Sequence, residues 1–223
     1  VAGHDPLDPA TIPEPPTPLV LRATGPLTIG VPDTAYFRDA EADVLAQFEA
    51  SLKTFADAGC RVVEVPTPKG FEESVRAHAV VMQAEVAYYH RRYFPERAEL
   101  YNPYLREFIR EGLTITAERY IDAQETRRRY RKAFAAAFAD VDVLATPAAP
   151  STAPRGLAQT GSPAFNLPFS TLGVPTLALP NGFASNGLPT GVQLVAPLGE
   201  EQRLIDAGYL YQSLTDWHLR VPE

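Results

Sequence analysis

Cysteine is nearly absent. Cys60 is the only one in 223 residues, so no intrachain disulfide can form. Long apolar runs are missing too: none approaches the ~18 residues of a membrane-spanning helix, and no hydrophobic signal region stands at the N-terminus. Together these absences exclude a membrane protein and point to a reducing, cytoplasmic compartment. Positive charge is short, with 20 Lys and Arg against 27 Asp and Glu, a net −7. Neutralising phosphates takes a cationic surface, so general nucleic-acid binding is excluded. Histidine is scarce and scattered. His4, His78, His90 and His218 include no i, i+4 pair, and His78 and His90 lie more than three turns apart on one predicted helix. No metal site is expected.

What remains is ordinary in bulk, 45% hydrophobic and 21% charged. A chain of this length can bury roughly 70–75% of its unfolded surface. Proline is the exception, 22 residues clustered at 6–32 and 147–197, about twice the ~5% average. Each proline fixes φ and removes a backbone donor. The first cluster makes residues 1–26 an extended entry segment, and the second makes the C-terminal third rigid and rich in loops. Residues 27–223 read as one domain.

Its order is legible from periodicity. "LTIGVP", Leu27 to Pro32, is a short strand. Asp39 is placed to cap a helix over 40–58, where Val44, Phe48, Leu52 and Phe55 share one face. "RVVEV", Arg61 to Val65, is the next strand, giving a βαβ unit with parallel neighbours. Val75, Ala79, Met82, Val86 and Tyr89 mark a helix stopped by Pro95. A shorter helix carries Tyr104, Phe108 and Ile109 and ends at Gly112. Thr116 caps a long helix to Phe138 that turns Tyr120, Ala123, Tyr130, Phe134 and Phe138 inward. "VDVLATP" is a buried strand over Val141 to Thr146, and a loop of about fifteen residues follows Pro150. The runs 175–180 and 191–197 form a hairpin through Asn186-Gly187, and a helix over 199–213 closes the chain. The fold class is α/β, a mixed β-sheet flanked by helices.

Chemistry is hard to find in these residues. Asp5 and Asp8 each precede proline and read as turn formers rather than an acid–base pair. Cys60 reads as a small buried apolar residue. The basic run "RRRYRK", Arg127 to Lys132, reads as a solvated helix face, with Arg128, Arg129 and Lys132 pointing away from the aromatic stripe. Tyr88, Tyr89 and Tyr93 read as core. No serine among Ser51, Ser74, Ser151, Ser162, Ser170, Ser185 and Ser213 sits in a Gly-x-Ser-x-Gly elbow or a Ser-x-x-Lys motif. Lys53, Lys69 and Lys132 lie on predicted surfaces, so no catalytic set assembles.

The C-terminal pattern nevertheless has a family likeness. Phe165-Asn166, Gly173-Val174-Pro175, Pro180-Asn181-Gly182, and Gly187-Leu188-Pro189 through Gln193 closely resemble the C-terminal part of the amidase signature family. "AGHDPLDP" and "VDVLATPAAPSTAP" are similar to earlier family segments, in the same order. The resemblance implies the C-terminal portion of the amidase signature fold. It also implies hydrolysis of small carboxamides, through an acyl-enzyme formed by a Lys–Ser–Ser triad. That triad's Gly-Gly-Ser-Ser loop belongs upstream of Val1, and this chain contains no Gly-Gly pair. No catalytic residue is therefore carried over, and the chain alone is expected to be inactive. No cofactor is implied. The implied partners are an upstream catalytic half, in the same polypeptide or as the other half of a split enzyme, and a small-molecule amide, and the resemblance admits a homodimer. The Phe165 ring and the Asn166 amide are expected to line or brace the substrate pocket, with Thr160 nearby on the loop. Two other roles are compatible with the resemblance: the A-subunit of a tRNA-dependent amidotransferase, which the short loop from Ser151 to Pro163 disfavours, and a non-catalytic partner or scaffold that kept the fold.

Overall fold

Strand β1, Thr28–Pro32, has a parallel neighbour on each side, which makes it the pivot of a five-stranded sheet. The structure, a computed structural model, describes residues 3–8, 11, 13, 18–22, 24–157 and 159–220. Strand β2, Arg61–Val65, pairs with β1 from Thr28 opposite Arg61. Helix α1, Ala42–Asp57, makes the crossover between them. On the other side β3, Val143–Pro147, sets Val143 beside Ile29. The sheet then turns antiparallel. Strand β5, Pro189–Val195, pairs with β3, and β4, Thr176–Phe183, pairs with β5 at the edge, giving the order β2-β1-β3-β5-β4. This is the mixed sheet that the alternation of patterns predicts.

The β4–β5 hairpin closes on the Asn186-Gly187 turn. Gly187 takes φ +80°, the left-handed region that favours glycine. The Asn186 side chain accepts from the Leu188 N–H at 3.0 Å, and the Ala184 N–H donates to the Leu188 carbonyl at 2.9 Å.

Each face of the sheet carries its own core. On one, Ile29, Val143, Leu194 and Val192 pack with Phe48 and Phe55 of α1 and Tyr211 of α7, Glu201–Leu214. On the other, Leu144 and Val195 pack with Tyr130 and Phe134 of α5, Ala117–Phe134, and with Phe169 and Leu172 of α6, Leu167–Leu172. Helices α2 (Phe71–His90), α3 (Phe94–Arg97) and α4 (Pro103–Gly112) build an arm with α5. Asn102 caps α4 by accepting from the Leu105 N–H at 2.8 Å. Thr116 caps α5, as predicted, by accepting from the Arg119 N–H at 3.2 Å.

Four local expectations change. Asp39 does not cap α1; the residue before that helix is Glu41, and its side chain makes no capping bond. Pro95 does not stop α2, which ends at His90; it sits in the first turn of α3, where a missing N–H costs nothing. The buried face of α2 is Phe71, Ser74, Ala77, Val81 and Ala87, rather than the stripe from Val75 to Tyr89. Different stretches of α2 pack on α5, α6 and α4, so no single stripe describes it. Tyr88, Tyr89 and Tyr93 are exposed, at 65, 70 and 50%, with Arg91 stacked over Tyr88 and Arg97 over Tyr93. Helix α6 occupies residues left unassigned from the sequence, between the loop after Pro150 and the strand at 175.

The entry segment is tied down late in the chain. Gln202 of α7 brackets Val20, accepting from its N–H at 3.0 Å and donating to its carbonyl at 2.8 Å. Arg22 forks onto Asp206, with Nη2 at 2.7 Å and Nε at 3.0 Å. Asp5 builds a turn, its side chain accepting from the Leu7 N–H at 2.9 Å. Val1, Pro9, Pro15 and Pro16 lie outside the described residues, so the reading of residues 1–26 as continuous coil is only partly represented. Among the described residues, no helix is long and apolar enough to cross a membrane and no cluster of acidic, His or Cys side chains is arranged to hold a metal.

Candidate functional site

Successive strand side chains point to opposite faces, and at β4 the two faces differ. Leu179 is buried toward α1 and α7, whereas Thr176, Ala178 and Pro180 are exposed. One strand inward, Gln193 of β5 lies opposite Ala178 and opposite Thr146 of β3, and it is buried. The covering of this face therefore ends between β5 and β4. It leaves an uncharged shelf of Thr176, Ala178 and Pro180 beside a polar residue.

The segment leading into α6 is held at this boundary through its backbone. Gln193 Nε2 donates to the Phe165 carbonyl at 3.2 Å and lies 3.3 Å from Thr146 Oγ1. The Tyr36 hydroxyl donates to the preceding carbonyl, Ala164, at 2.8 Å. Burial, helped by the Glu72 charge, raises the Tyr36 pKa and keeps it a donor. The Phe165 ring is 1% exposed and sits against Phe37 and Tyr36. Asn166 follows at the head of α6. It is exposed, its side chain makes no capping bond, and its N–H donates to the Pro163 carbonyl at 2.9 Å.

The loop before it is clipped at its start. Glu41 donates its N–H to the Pro150 carbonyl at 2.8 Å and accepts from the Thr152 N–H at 3.2 Å. Asn186 of the hairpin turn donates to Thr152 Oγ1 at 3.0 Å. Ser185 gives Asp43 two bonds, from Oγ at 2.6 Å and from N–H at 2.8 Å, which hold that carboxyl below its ordinary pKa. Thr160 lies further along and is exposed. Of the three residues singled out from the sequence, then, Phe165 is core, Asn166 is adjacent and exposed, and Thr160 is on the exposed loop. Among the described residues no hydrogen bond joins Thr160 to the other two.

Serines and lysines stay apart. Ser51 Oγ donates to the Gln47 carbonyl at 2.8 Å and accepts from Asn181 and Tyr211. Ser74 Oγ donates to the Phe71 carbonyl at 2.7 Å. Lys53 is paired with Asp57 at 2.7 Å. Among the described residues no lysine reaches a serine. What the boundary offers is an exposed amide side chain, Asn166, and the uncharged shelf of β4.

Three contributors are given no part in the site from the sequence: Gln193, Tyr36 and Arg127. Gln193 carried a usable signal, a lone polar residue inside the apolar strand "GVQLVAP". The basic run divides in two. Arg128 and Arg129 are exposed, as read, and pair with Glu125 and Glu73 at 3.7 Å. Arg127 is half-buried and donates to the Thr171 carbonyl at the end of α6.

A family model described as Amidase matches residues 1–205. An amidase of Pseudomonas putida is 31% identical over 244 aligned positions, covering all of this chain and 51% of the relative. The A-subunit of the glutamyl-tRNA(Gln) amidotransferase of Thermosynechococcus vestitus is 30% identical over 258 positions, covering all of this chain and 53% of the relative. A crystal structure of an amidase superposes with a TM-score of 0.79 at 27% identity, covering 87% of this chain and 47% of that one. The chain spans about half the length of the curated relatives it matches.

Proposed function

Because this chain belongs to the Amidase family, we propose that it is the C-terminal portion of a serine amidohydrolase that cleaves the C–N bond of small carboxamides. In this reading a lysine of the companion half acts through a bridging serine to take the proton of a second serine. That serine's oxygen bonds to the carbonyl carbon, the C–N bond breaks as the amine leaves with a proton, and water then hydrolyses the acyl ester. Backbone N–H groups stabilise the oxyanion. Residues 27–223 complete the domain, and residues 1–26 lead into it from the companion half.

This chain contributes the pocket wall. The Asn166 amide faces the substrate, Phe165 braces it from below, and Thr160 closes the loop side. The single observation that carries this reading is the exposed Asn166 directly after two pinned carbonyls, those of Ala164 and Phe165, the second held by Gln193 at the sheet boundary where the uncharged shelf of β4 begins. A surface left open and yet held rigid suits a wall that another half completes. Preorganisation of this kind lowers the barrier by holding the substrate in reactive geometry. The buried, unpaired Cys60 suits a reducing, cytoplasmic compartment.

Asn166→Ala in the complete enzyme tests the wall. The expected result is a loss of about tenfold in kcat/KM, in line with one lost hydrogen bond to substrate, at unchanged thermal stability. An unchanged kcat/KM with a lowered Tm refutes the contact. The 223-residue chain alone is expected to show no amide turnover.

A stand-alone hydrolase is preferred to an amidotransferase component on one ground. The loop from Ser151 to Pro163 is short, which suits a stand-alone hydrolase. Release of free ammonia from simple carboxamides, without a tRNA-linked acceptor, separates the two.

A further inference from the structure

Arg127 occupies a different environment from the arginines that follow it. It is half-buried, and among the described residues no carboxylate pairs with it, whereas Arg128 and Arg129 meet Glu125 and Glu73. Its bonds go elsewhere. Nε donates to the Thr171 carbonyl at 3.3 Å and Nη1 to Gln124 Oε1 at 3.2 Å. The arrangement continues outward, with Gln124 Nε2 donating to the Tyr120 hydroxyl at 2.9 Å and that hydroxyl donating to Glu85 Oε1 at 2.9 Å. A relay therefore runs from α2 through α5 to the last turn of α6.

The end of α6 explains why a cation belongs there. A helix leaves its last carbonyls without intrahelical partners, with partial negative charge. Gly173, at φ +68°, returns its N–H to the Phe169 and Ser170 carbonyls, and the Thr171 carbonyl is taken by Arg127. The Arg131 guanidinium also lies here, 3.4 Å from where a Cβ on Gly173 would stand. Two cations at the same helix end repel each other. Burial, and after it this repulsion, lowers the Arg127 pKa. His78, next to Arg127, is likewise lowered, by burial and then by the guanidinium. Arg127 is nevertheless held in place by two acceptors, the Thr171 carbonyl and Gln124 Oε1.

We propose that Arg127 is a positioning residue for the amide substrate, fixing one end of α6 so that Asn166, at the other end, keeps its place on the pocket wall. The two ends are held independently. Gln193 and Tyr36 hold the carbonyls of Phe165 and Ala164, and Arg127 holds that of Thr171. A helix of six residues between two anchors behaves as a strut, and releasing either anchor lets Asn166 shift. The proposal rests on the wall assigned above, and it makes Arg127 act through α6 rather than on the substrate.

The test uses the complete enzyme, with R127M, R127K and Q124A, and two readouts. The first is steady-state kinetics normalised to serines titrated by a fluorophosphonate. R127M is expected to raise KM about tenfold, while kcat per titrated serine stays within about threefold, because a misplaced wall weakens positioning and leaves the reacting groups intact. R127K, which can still reach the Thr171 carbonyl, is expected to recover most of the loss, and Q124A to fall between. A purely structural role would instead reduce the number of titrated serines without moving KM, and that result overturns the proposal. The second readout is amide hydrogen exchange over residues 166–173, expected to speed up in R127M and return toward wild type in R127K. Unchanged exchange overturns the anchoring whatever the kinetics. If the wild-type enzyme turns over no carboxamide, the substrate reading has failed and exchange alone decides whether Arg127 anchors α6.

Discussion

Gln193 and Phe165 are joined by one hydrogen bond, Nε2 to carbonyl at 3.2 Å, and both residues are buried. That bond ties the backbone before α6 to the sheet where its covering ends. Gln193→Leu keeps the volume but leaves the Phe165 carbonyl and Thr146 Oγ1 without this partner. The expected cost is about 2 kcal/mol, the range for a buried polar group left unsatisfied, read as a lowered denaturant midpoint at unchanged slope. A midpoint equal to wild type would mean that the bond holds nothing.

Asn181 is the hub of a second buried polar group. Its Nδ2 donates to Ser51 Oγ at 3.0 Å and its Oδ1 accepts from Thr190 Oγ1 at 2.8 Å. Tyr211 reaches the same serine at 3.2 Å, so α1, β4, β5 and α7 meet in one network. Asn181→Ala is expected to cost about 2 kcal/mol. Because the groups share partners, the double variant with Ser51→Ala should fall short of the sum by about 1 kcal/mol. Strict additivity in a double-mutant cycle would show the contacts to be independent.

The sheet and most helices could be read from the sequence because each writes its own period. Val44, Phe48 and Phe55 recur along α1 and are buried where expected. Asn186-Gly187 named its turn, and Thr116 named its cap. What failed had no period to show. Helix α6 is six residues with a proline in its first turn, too short for any stripe. Helix α2 serves several neighbours, so its buried face drifts along its length. The site was legible only as a likeness: Phe165 and Asn166 stood out by motif. Of the residues that fix their backbone, only Gln193 shows in the sequence, as a lone polar residue in an apolar strand; Tyr36 and Arg127 act on backbone carbonyls, which leave no mark there.

Gly112 lies where α4 comes down on α2. A Cβ there would sit 2.6 Å from the Ala87 Cβ and collide with the Gln83 backbone carbonyl. Alanine normally favours a helix over glycine by up to about 1 kcal/mol. Here overpacking against backbone decides the sign, and Gly112→Ala is expected to destabilise by about 2 kcal/mol. Gly208→Ala in α7 is the control. Its new methyl would crowd only Leu177 Cδ2, at 2.6 Å, the far end of a side chain that can turn away, so the change should be the smaller of the two. Thermal melts of both variants of the complete enzyme check the order, and an equal or reversed order would remove the case for tight α2–α4 contact.

The clamp from Arg22 to Asp206 should carry a pH signature. The Arg22 side chain bonds both carboxylate oxygens, at 2.7 Å and 3.0 Å at the closest. These bonds lower the Asp206 pKa against an opposing desolvation, with a further bond from Gln202 and the guanidinium charge assisting. A carboxyl whose folded pKa is depressed stabilises the fold above its unfolded pKa, and that stability is lost as pH falls through the folded value. Arg22→Gln and Asp206→Asn should therefore each melt below wild type at neutral pH. The gap should narrow as pH drops through and beneath the ordinary aspartate range, because protonation then does to the wild type what the substitutions did. Arg22 is largely exposed, so added salt should also shrink the gap. Melting curves across that pH range decide the matter: a gap of constant size would assign the cost to packing of the entry segment on α7 instead of to the charge pair.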